Sequence, residues 1–181
     1  MKKIVVLFSG YGSNFEYLAK NQHKFKIVAA FSNNPNARGI EIAKKYHIPC
    51  FVLDSKKYDS RVAFEKALLE KMNLFEFDLA VLAGFMRILT PFFTSKIKAI
   101  NLHPSLLPRH KGLNAIKKSF YDDFEEGGVT VHWVNDELDG GEIILQKKVH
   151  KKSLNYEQYY QLIRKIEKEA LLEAINMLLR E

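Results

Sequence analysis

One short segment, AINLHPSLLP at residues 99–108, constrains the fold of this chain more than any other. Its apolar start predicts a short buried strand at 98–102, and Pro104, which cannot donate to a strand ladder, follows it. Side chains two apart on a strand point to the same side, so Asn101 and His103 project together from the strand's carboxyl end. Open α/β sheets bind their ligands at this end. An amide donor beside an imidazole suits an oxyanion and a proton in transit, although such a pair can equally tie down a loop.

Outward from this segment, apolar runs and helical periodicities alternate along the chain. They predict strands at 2–8, 26–31, 49–53, 78–83 and 98–102, and helices at 14–21, 38–46, 60–72 and 91–96. A helix at 115–120 then precedes strands at 128–134 and 142–150, and a helix at 155–179 closes the chain. The pattern predicts an α/β fold whose sheet is parallel in its N-terminal part and ends in an antiparallel pair. Residues 1–181 are predicted to form a single domain.

The composition is typical of a globular protein, with 47% hydrophobic and 27% charged residues. The apolar start of the chain is too short for a signal peptide and no run reaches the length of a membrane span, so we expect a cytoplasmic protein without a membrane partner. The net charge of +7 is spread over short lysine pairs with acids between them, which does not favour nucleic-acid binding. The lone cysteine, Cys50, is predicted to be a buried structural thiol. The histidines show no metal-like spacing, so no metal site is expected.

A loop with two glycines, SGYGSN at residues 9–14, follows the first predicted strand and opens a helix. Its glycines permit close backbone approach, and the free N–H groups at a helix start favour an anion. Phe15 stands where a dinucleotide fingerprint needs a third glycine, and no acid follows the second strand to hold a ribose. The loop therefore favours a phosphate monoester over a dinucleotide. The alternative is a plain tight turn in which Ser13 caps the helix.

The turn DELDGG at residues 136–141 contains three acids. Asp136 and Glu137 are read as solvated turn residues. Asp139 differs because an antiparallel connection can carry it back over the sheet edge near His103, where a carboxylate would orient the imidazole, favour its charged form and relay a proton. His132 is predicted to be a satisfied core histidine, unless its strand aims it at the site.

Together these motifs resemble those of the phosphoribosylglycinamide formyltransferases. The resemblance covers essentially the whole chain. Its matching segments are FSGYGSN at 8–14, FSN at 31–33, YDSR at 58–61, LAGFMRIL at 82–89, NLHPSLLP at 101–108 and DELDGG at 136–141. The NLHPSLLP motif is shared across folate formyltransferases and hydrolases, whereas SGYGSN with AGFMR is much narrower. The resemblance implies a three-layer, Rossmann-like formyltransferase sheet and formyl transfer from 10-formyltetrahydrofolate, as co-substrate, to the amine of phosphoribosylglycinamide in purine biosynthesis.

The resemblance also implies roles for individual residues. The catalytic set would be Asn101, His103 and Asp139. The ribonucleotide would be bound by Gly12, Ser13, Asn14, Arg164 and Glu167. The folate cleft would be lined by Arg61, Met86, Arg87, Ile88, Leu89, Asn101, Asn135, Asp136, Glu137, Leu138 and Asp139. Arg164 and Glu167 are also spaced as an ordinary i,i+3 surface pair, which stays an alternative.

Two places depart from the family's pattern. His110 and Lys111 precede Gly112, where relatives often carry Tyr or Phe, and Leu171-Leu172 replaces an aromatic-proline pair. Neither removes a catalytic group.

Three other functions are alternatives to formyl transfer to the ribonucleotide. A formyltetrahydrofolate hydrolase would use the same three side chains with water, but its relatives carry an additional N-terminal domain. A methionyl-tRNA formyltransferase would suit the positive charge, but that family has a C-terminal tRNA-binding domain. A non-catalytic folate or nucleotide binder would have no use for the catalytic set. We expect a monomer or weak homodimer that acts on small molecules and not on nucleic acid.

Overall fold

The computed structural model describes residues 1–180, and residue 181, where the predicted domain ends, lies outside the described residues. The strands are β1 (Lys2–Phe8), β2 (Phe25–Ser32), β3 (Cys50–Val52), β4 (Leu79–Leu82), β5 (Ala99–His103), β6 (Glu126–Trp133) and β7 (Ile143–His150). The helices are α1 (Ser13–Lys20), α2 (Gly39–Lys45), α3 (Arg61–Met72), α4 (Pro91–Thr94), α5 (Ala115–Tyr121) and α6 (Tyr156–Leu178). Every predicted element is found, with its ends within two residues of the prediction. A 3₁₀ turn at Ser55–Lys57 is the element that the sequence patterns miss.

The strands form a seven-stranded sheet in the order β3-β2-β1-β4-β5-β6-β7. β1 pairs in parallel with β2 and β4, and β2 pairs in parallel with β3. β6 and β7 pair antiparallel. The predicted fold class, a parallel sheet that ends in an antiparallel C-terminal pair, is confirmed.

The chain divides into two compact units, Met1–Ile100 and Asn101–Leu178, with residues 179–180 grouped with the first unit. The single domain at 1–181 stays a prediction. In the first unit, β4 and most of β1 are buried, as expected for central parallel strands covered on both faces. Phe8 at the end of β1 stacks on Phe15 of α1, with ring centroids 5.3 Å apart, and this contact seats α1 beside the loop that precedes it.

In the second unit, α6 packs on β6, β7 and α5. Its apolar side chains Tyr159, Ile163, Ala170 and Ala174 are fully buried. Ile166 and Leu178, which continue the same three-to-four-residue spacing, are only half-buried. The helical repeat of 3.6 residues carries the buried face through position 167 instead, so the carboxyl group of Glu167 lies among the apolar side chains.

Cys50 is half-buried and not fully buried as predicted. Burial raises the pKa of its thiol to about 11, so the sulfur is protonated near neutral pH and is a poor nucleophile. None of the helices within residues 1–180 is both long and apolar enough to cross a membrane.

Candidate active site

The segment that follows β5 is fixed by one buried hydroxyl group. Thr130 of β6 donates to the carbonyl of Ser105 (2.7 Å) and accepts from the backbone N–H of Leu107 (3.1 Å). The side chain of Gln146 donates both to this hydroxyl and to the Leu107 carbonyl, each at 3.0 Å. These bonds hold the end of β5 against β6 and β7. No motif marks Thr130 or Gln146 in the sequence, because their partners are backbone groups of a distant segment.

His103 lies between two hydrogen-bond acceptors. Its Nδ1 is 3.3 Å from Oδ2 of Asp139, and its Nε2 is 2.7 Å from the carbonyl oxygen of His110. Both the imidazole and the carboxylate are almost fully buried. A carboxylate and a carbonyl can only accept, so the imidazolium form, with a proton on each nitrogen, satisfies both contacts at once.

Asn101 points toward the same carboxylate from the other side. Its Nδ2 is 3.3 Å from Nε2 of His132 and 3.5 Å from Oδ1 of Asp139. Nδ1 of His132 faces the Trp133 carbonyl at 2.9 Å, so the ring carries its proton on Nδ1 and accepts from Asn101 through Nε2. The structure therefore brings Asn101, His103 and Asp139 together, as the sequence predicted.

His132 belongs to this cluster: it is buried, as predicted, and the alternative in which its strand aims it at the site is the one found. The ring is buried, but its Nε2 lies 3.7 Å from Oδ1 of Asp139. The register of β6 against β7 shifts between Val131 and His132. Such an irregularity re-aims a strand side chain, and hydrophobic alternation alone does not reveal it.

Asp139 sits in a tight turn that aims its carboxylate inward. Its backbone is left-handed, at φ +50°, a conformation that Asp tolerates better than most residues. Gly141 follows where a Cβ atom would come within 1.6 Å of the Trp133 carbonyl oxygen, so the turn needs a glycine there. Burial by itself raises the pKa of Asp139, but the His132 side chain, the Gly112 N–H at 2.9 Å and the charge of His103 outweigh it, and the pKa lies below its usual value.

In the first unit, the backbone of the loop before α1 requires a glycine at position 12. Gly12 is the N-cap of α1 with φ +73°, and a Cβ atom there would lie 2.8 Å from the Cα of Gly39. Ser13 is the first residue of the helix, so the alternative in which Ser13 caps it is wrong. As a glycine, the N-cap residue has no side chain to cap the helix, and within residues 1–180 the buried Oδ1 of Asn14 has no hydrogen-bond partner.

A second segment of the first unit, residues 86–90, has apolar side chains that are exposed to solvent. Met86 and Ile88 are exposed, at 66% and 46% of their surface. The backbone N–H of Met86 donates to the Ser9 hydroxyl (2.8 Å), and Thr90 donates through its N–H (2.6 Å) and its hydroxyl to the buried carboxylate of Glu65. The segment is thus anchored at both ends. Glu65 carries no sequence signal, since its partners lie 25 residues away.

Of the remaining predicted folate contacts, Leu89 is buried, Arg87 is half-buried and the others are exposed. Arg61 is exposed at the start of α3, and Arg87 lies over the ring of Phe64. Asn135, Asp136, Glu137 and Leu138 are exposed residues of the turn that ends at Asp139.

Arg164 and Glu167 do not form an ordinary surface pair. Their closest atoms are 2.8 Å apart, but the Glu167 side chain is only 4% exposed, against 33% for Arg164. Burial raises the pKa of Glu167 to about 7, and the nearby Arg164 guanidinium, which acts in the opposite direction, does not offset it. Glu167 is therefore a buried carboxyl group that titrates near neutral pH.

Comparison with known proteins identifies the class. A family model described as Formyl transferase matches residues 2–175. The chain is 43% identical over 152 residues to a phosphoribosylglycinamide formyltransferase of Escherichia coli, which covers 81% of this chain and 72% of that protein. For the Bacillus subtilis phosphoribosylglycinamide formyltransferase the identity is 39% over 155 residues, covering 82% of this chain and 80% of that protein. The crystal structure of phosphoribosylglycinamide formyltransferase from Campylobacter jejuni superimposes with a TM-score of 0.95 at 44% identity, covering 99% of this chain and 98% of the other.

The chain belongs to the formyl transferase family and, within it, to the phosphoribosylglycinamide formyltransferases. The resemblance read from the sequence is confirmed, and with it the expectation of an enzyme. Within the described residues, no group of three or more His, Cys, Asp or Glu side chains is placed to hold a metal ion.

The buried carboxyl of Glu167 makes the stability of the fold depend on pH. The pKa of Glu167 is about 7 in the folded state against a usual 4.5, so the folded chain holds a proton that the unfolded chain has lost in this window. We expect the free energy of unfolding to fall by up to about 3 kcal/mol as the pH rises from about 4.5 to above 7. Urea unfolding of the parent and of Glu167→Gln across this range measures it. Glu173→Gln, on the exposed face of α6, should keep the parent's slope, and parallel curves for the parent and Glu167→Gln would contradict the assignment.

Proposed function

We propose that the chain transfers the formyl group of 10-formyltetrahydrofolate to the amine of N1-(5-phosphoribosyl)glycinamide in de novo purine biosynthesis. The observation that carries this proposal is the convergence of Asn101, His103 and Asp139 at the end of β5, in a chain of this family. Formyl-folate is the donor that the family uses. Its identity as 10-formyltetrahydrofolate is part of the proposal.

The proposed reaction is a direct attack of the amine on the formyl carbon. The bond from nitrogen to carbon forms, and the formyl oxygen becomes the oxyanion of a tetrahedral intermediate. Asn101 supplies an N–H donor to that oxygen, and the imidazolium of His103 stabilises its charge. The intermediate collapses by breaking the bond to the folate nitrogen. Asp139 holds the imidazole and, through water, assists the transfer of the amine proton to the departing nitrogen. No covalent enzyme intermediate is required, which agrees with the high pKa of the Cys50 thiol.

For the phosphate of the ribonucleotide we propose the start of α1. The N–H groups of the first helical turn at Gly12, Ser13 and Asn14 suit an anion, as does the positive end of the helix dipole. The buried, unpartnered amide oxygen of Asn14 supports this role, because a rotation of the carboxamide presents an N–H donor in its place.

The remaining proposed contacts to the ribonucleotide and the folate are divided between the two units. In the second unit, Glu167 and Arg164 are proposed to bind the ribonucleotide, since a half-ionised carboxyl group can both donate to and accept from hydroxyl groups. Folate contacts are proposed for Arg61 and Met86, Arg87, Ile88 and Leu89 in the first unit, and for Asn101 and 135–139 in the second. The anchored, exposed side chains of Met86 and Ile88 suit the flat apolar faces of a pterin.

We also propose where the enzyme acts, on what kind of molecule, and in which oligomeric state. The enzyme acts in the cytoplasm on small molecules, without nucleic acid, membrane or a metal ion. It is a monomer or a weak homodimer.

The direct test follows tetrahydrofolate formation from 10-formyltetrahydrofolate by absorbance. Turnover should depend on added phosphoribosylglycinamide, because water is not the acceptor in this proposal. Equal turnover with and without the ribonucleotide would identify a hydrolase instead.

Asn14→Ala tests the phosphate site without disturbing the loop. The change removes a buried oxygen that has no partner, so the fold should be kept. If the amide binds phosphate, the KM for the ribonucleotide should rise roughly tenfold or more, the range of one charge-assisted hydrogen bond, while the KM for the folate stays unchanged. Gly12→Val is unsuitable, since its side chain would collide with Gly39 whatever the loop binds. A rise in the folate KM alone would reassign the loop.

Asn101→Ala and His103→Ala test the catalytic set. Each removes a group that interacts with the oxyanion, so kcat should fall by the equivalent of about 3–4 kcal/mol. KM should change little, because the interaction develops only during the reaction. Asn73→Ala and His23→Ala, at exposed positions of the first unit, are the matched controls, with folding followed by circular dichroism. An unchanged kcat with a raised KM would mean that these groups bind the ground state only.

A further inference from the structure

Asp122, an acid that does not belong to the catalytic set, is connected to His103 through residue 110. The carbonyl that accepts from His103 Nε2 belongs to His110, whose backbone is left-handed at φ +55°. This conformation is unfavourable for a residue with a Cβ atom and persists where surrounding contacts impose it. The direction of the carbonyl, and with it the orientation of the catalytic imidazole, therefore depends on what holds residue 110.

The side chain of His110 is held by Asp122, the residue after α5. Nε2 of His110 is 2.7 Å from Oδ2 of Asp122, and a guanidinium nitrogen of Arg109 is 3.5 Å from the same oxygen. The other carboxylate oxygen, Oδ1, accepts from Nζ of Lys151 (2.5 Å) and from the backbone N–H of Phe124 (3.0 Å). Both oxygens of Asp122 are thus used as acceptors, one on each side.

Two carboxylates, those of Asp122 and Asp139, therefore hold the segment 109–112. Asp122 holds Arg109 and His110 from outside the catalytic set, while Asp139 accepts from the N–H of Gly112 at 2.9 Å. Asp122 itself has no described contact with Asn101, His103 or Asp139. Any effect that it has on the reaction must pass through His110.

We propose that Asp122 is a positioning residue for formyl transfer, which through the His110 imidazole holds the His110 carbonyl as the acceptor for His103 Nε2–H. The inference rests on the proposed function. Fixing Nε2 on a carbonyl and Nδ1 on Asp139 prevents the catalytic ring from turning over, so its charge stays aimed at the reacting formyl group. The lowered pKa of Asp122 is consistent with this arrangement: burial alone would raise it, and Lys151 and His110 outweigh that effect.

Two substitutions break this link while keeping the backbone. Asp122→Asn replaces one of the two acceptor oxygens with a donor, so it can satisfy the His110 side or the Lys151 side but not both. His110→Asn keeps a residue that tolerates the left-handed backbone, but its side chain is too short to bind Asp122 as the imidazole does. Asp123→Asn is the matched control, because it makes the same chemical change at the exposed neighbouring position, which has no described contact with His110.

The kinetic test is a double-mutant cycle on kcat. Asp122→Asn and His110→Asn should each lower kcat roughly tenfold. Both KM values should stay within about twofold of the parent's. The double variant should fall no further than either single variant, since both act on one link. Asp123→Asn should retain the parent's kcat. Additive losses, or a kcat that Asp122→Asn leaves unchanged, would overturn the proposal.

A spectroscopic test separates positioning from stability and needs no turnover. In protein labelled with ¹⁵N-histidine, the Nε2–H resonance of His103, identified by its loss in His103→Asn, should be protected from exchange with water. Asp122→Asn and His110→Asn should remove this protection, and Asp123→Asn should keep it. Protection that survives Asp122→Asn, or is lost equally in Asp123→Asn, would overturn the proposal. If the parent transferred no formyl group, the proposed function would fail on its own assay while this resonance still decided the positioning role.

Discussion

The second unit is organised around one buried negative charge, the carboxylate of Asp139. A buried carboxylate is tolerated only when donors replace the water it has lost. Here the donors come from separate parts of the chain: Asn101 and His103 at the end of β5, and the N–H of Gly112. Because each of these groups must reach the same two oxygens, the carboxylate fixes the end of β5 and the segment that follows Pro108.

Two buried carboxyl groups of this chain have pKa values that are shifted in opposite directions. Burial acts to raise the pKa of both Asp139 and Glu167. Asp139 is surrounded by a backbone N–H and two imidazoles, which reverse the effect, whereas Glu167 lies among apolar side chains of α6 with the guanidinium of Arg164 beside it. The balance between burial and the donors in contact therefore decides which acid stays ionised. In the proposed mechanism this gives Asp139 a constant charge for the reaction and leaves Glu167 a proton to share with a ligand.

The sequence predicts the elements and the catalytic set well, and for clear physical reasons. Alternating apolar runs reflect burial of whole strands, and the two-residue repeat of a strand is enough to place Asn101 beside His103. What it misses are partners distant along the chain, such as Thr130 for the segment after β5 and Glu65 for Thr90. A polar residue in an apolar strand shows that a partner is needed, but spacing does not say which.

Gly12 shows a different limit of prediction from sequence. Backbone geometry and phosphate binding would each be a sufficient reason for a glycine at this position. A glycine is required there by the left-handed backbone and by the close approach to Gly39, before any phosphate is considered. The unpartnered amide of Asn14 is the more informative feature, because packing alone gives no reason to bury an unsatisfied oxygen. This distinction is visible only once the neighbours of each residue are known.

The contact lengths at the catalytic set favour a division of labour within the proposed mechanism. His103 Nε2 is 2.7 Å from a carbonyl, a full hydrogen bond, whereas Asn101 Nδ2 is 3.5 Å from Asp139, at the limit of one. An oxyanion that forms nearby would compete easily for the weakly engaged amide proton, but would have to break a good bond to take one from the imidazole. Asn101 is thus the group best placed to donate to the oxyanion, and His103 contributes chiefly its positive charge. Such a charge is most effective when the ring cannot turn, which is what the acceptors on its two nitrogens ensure.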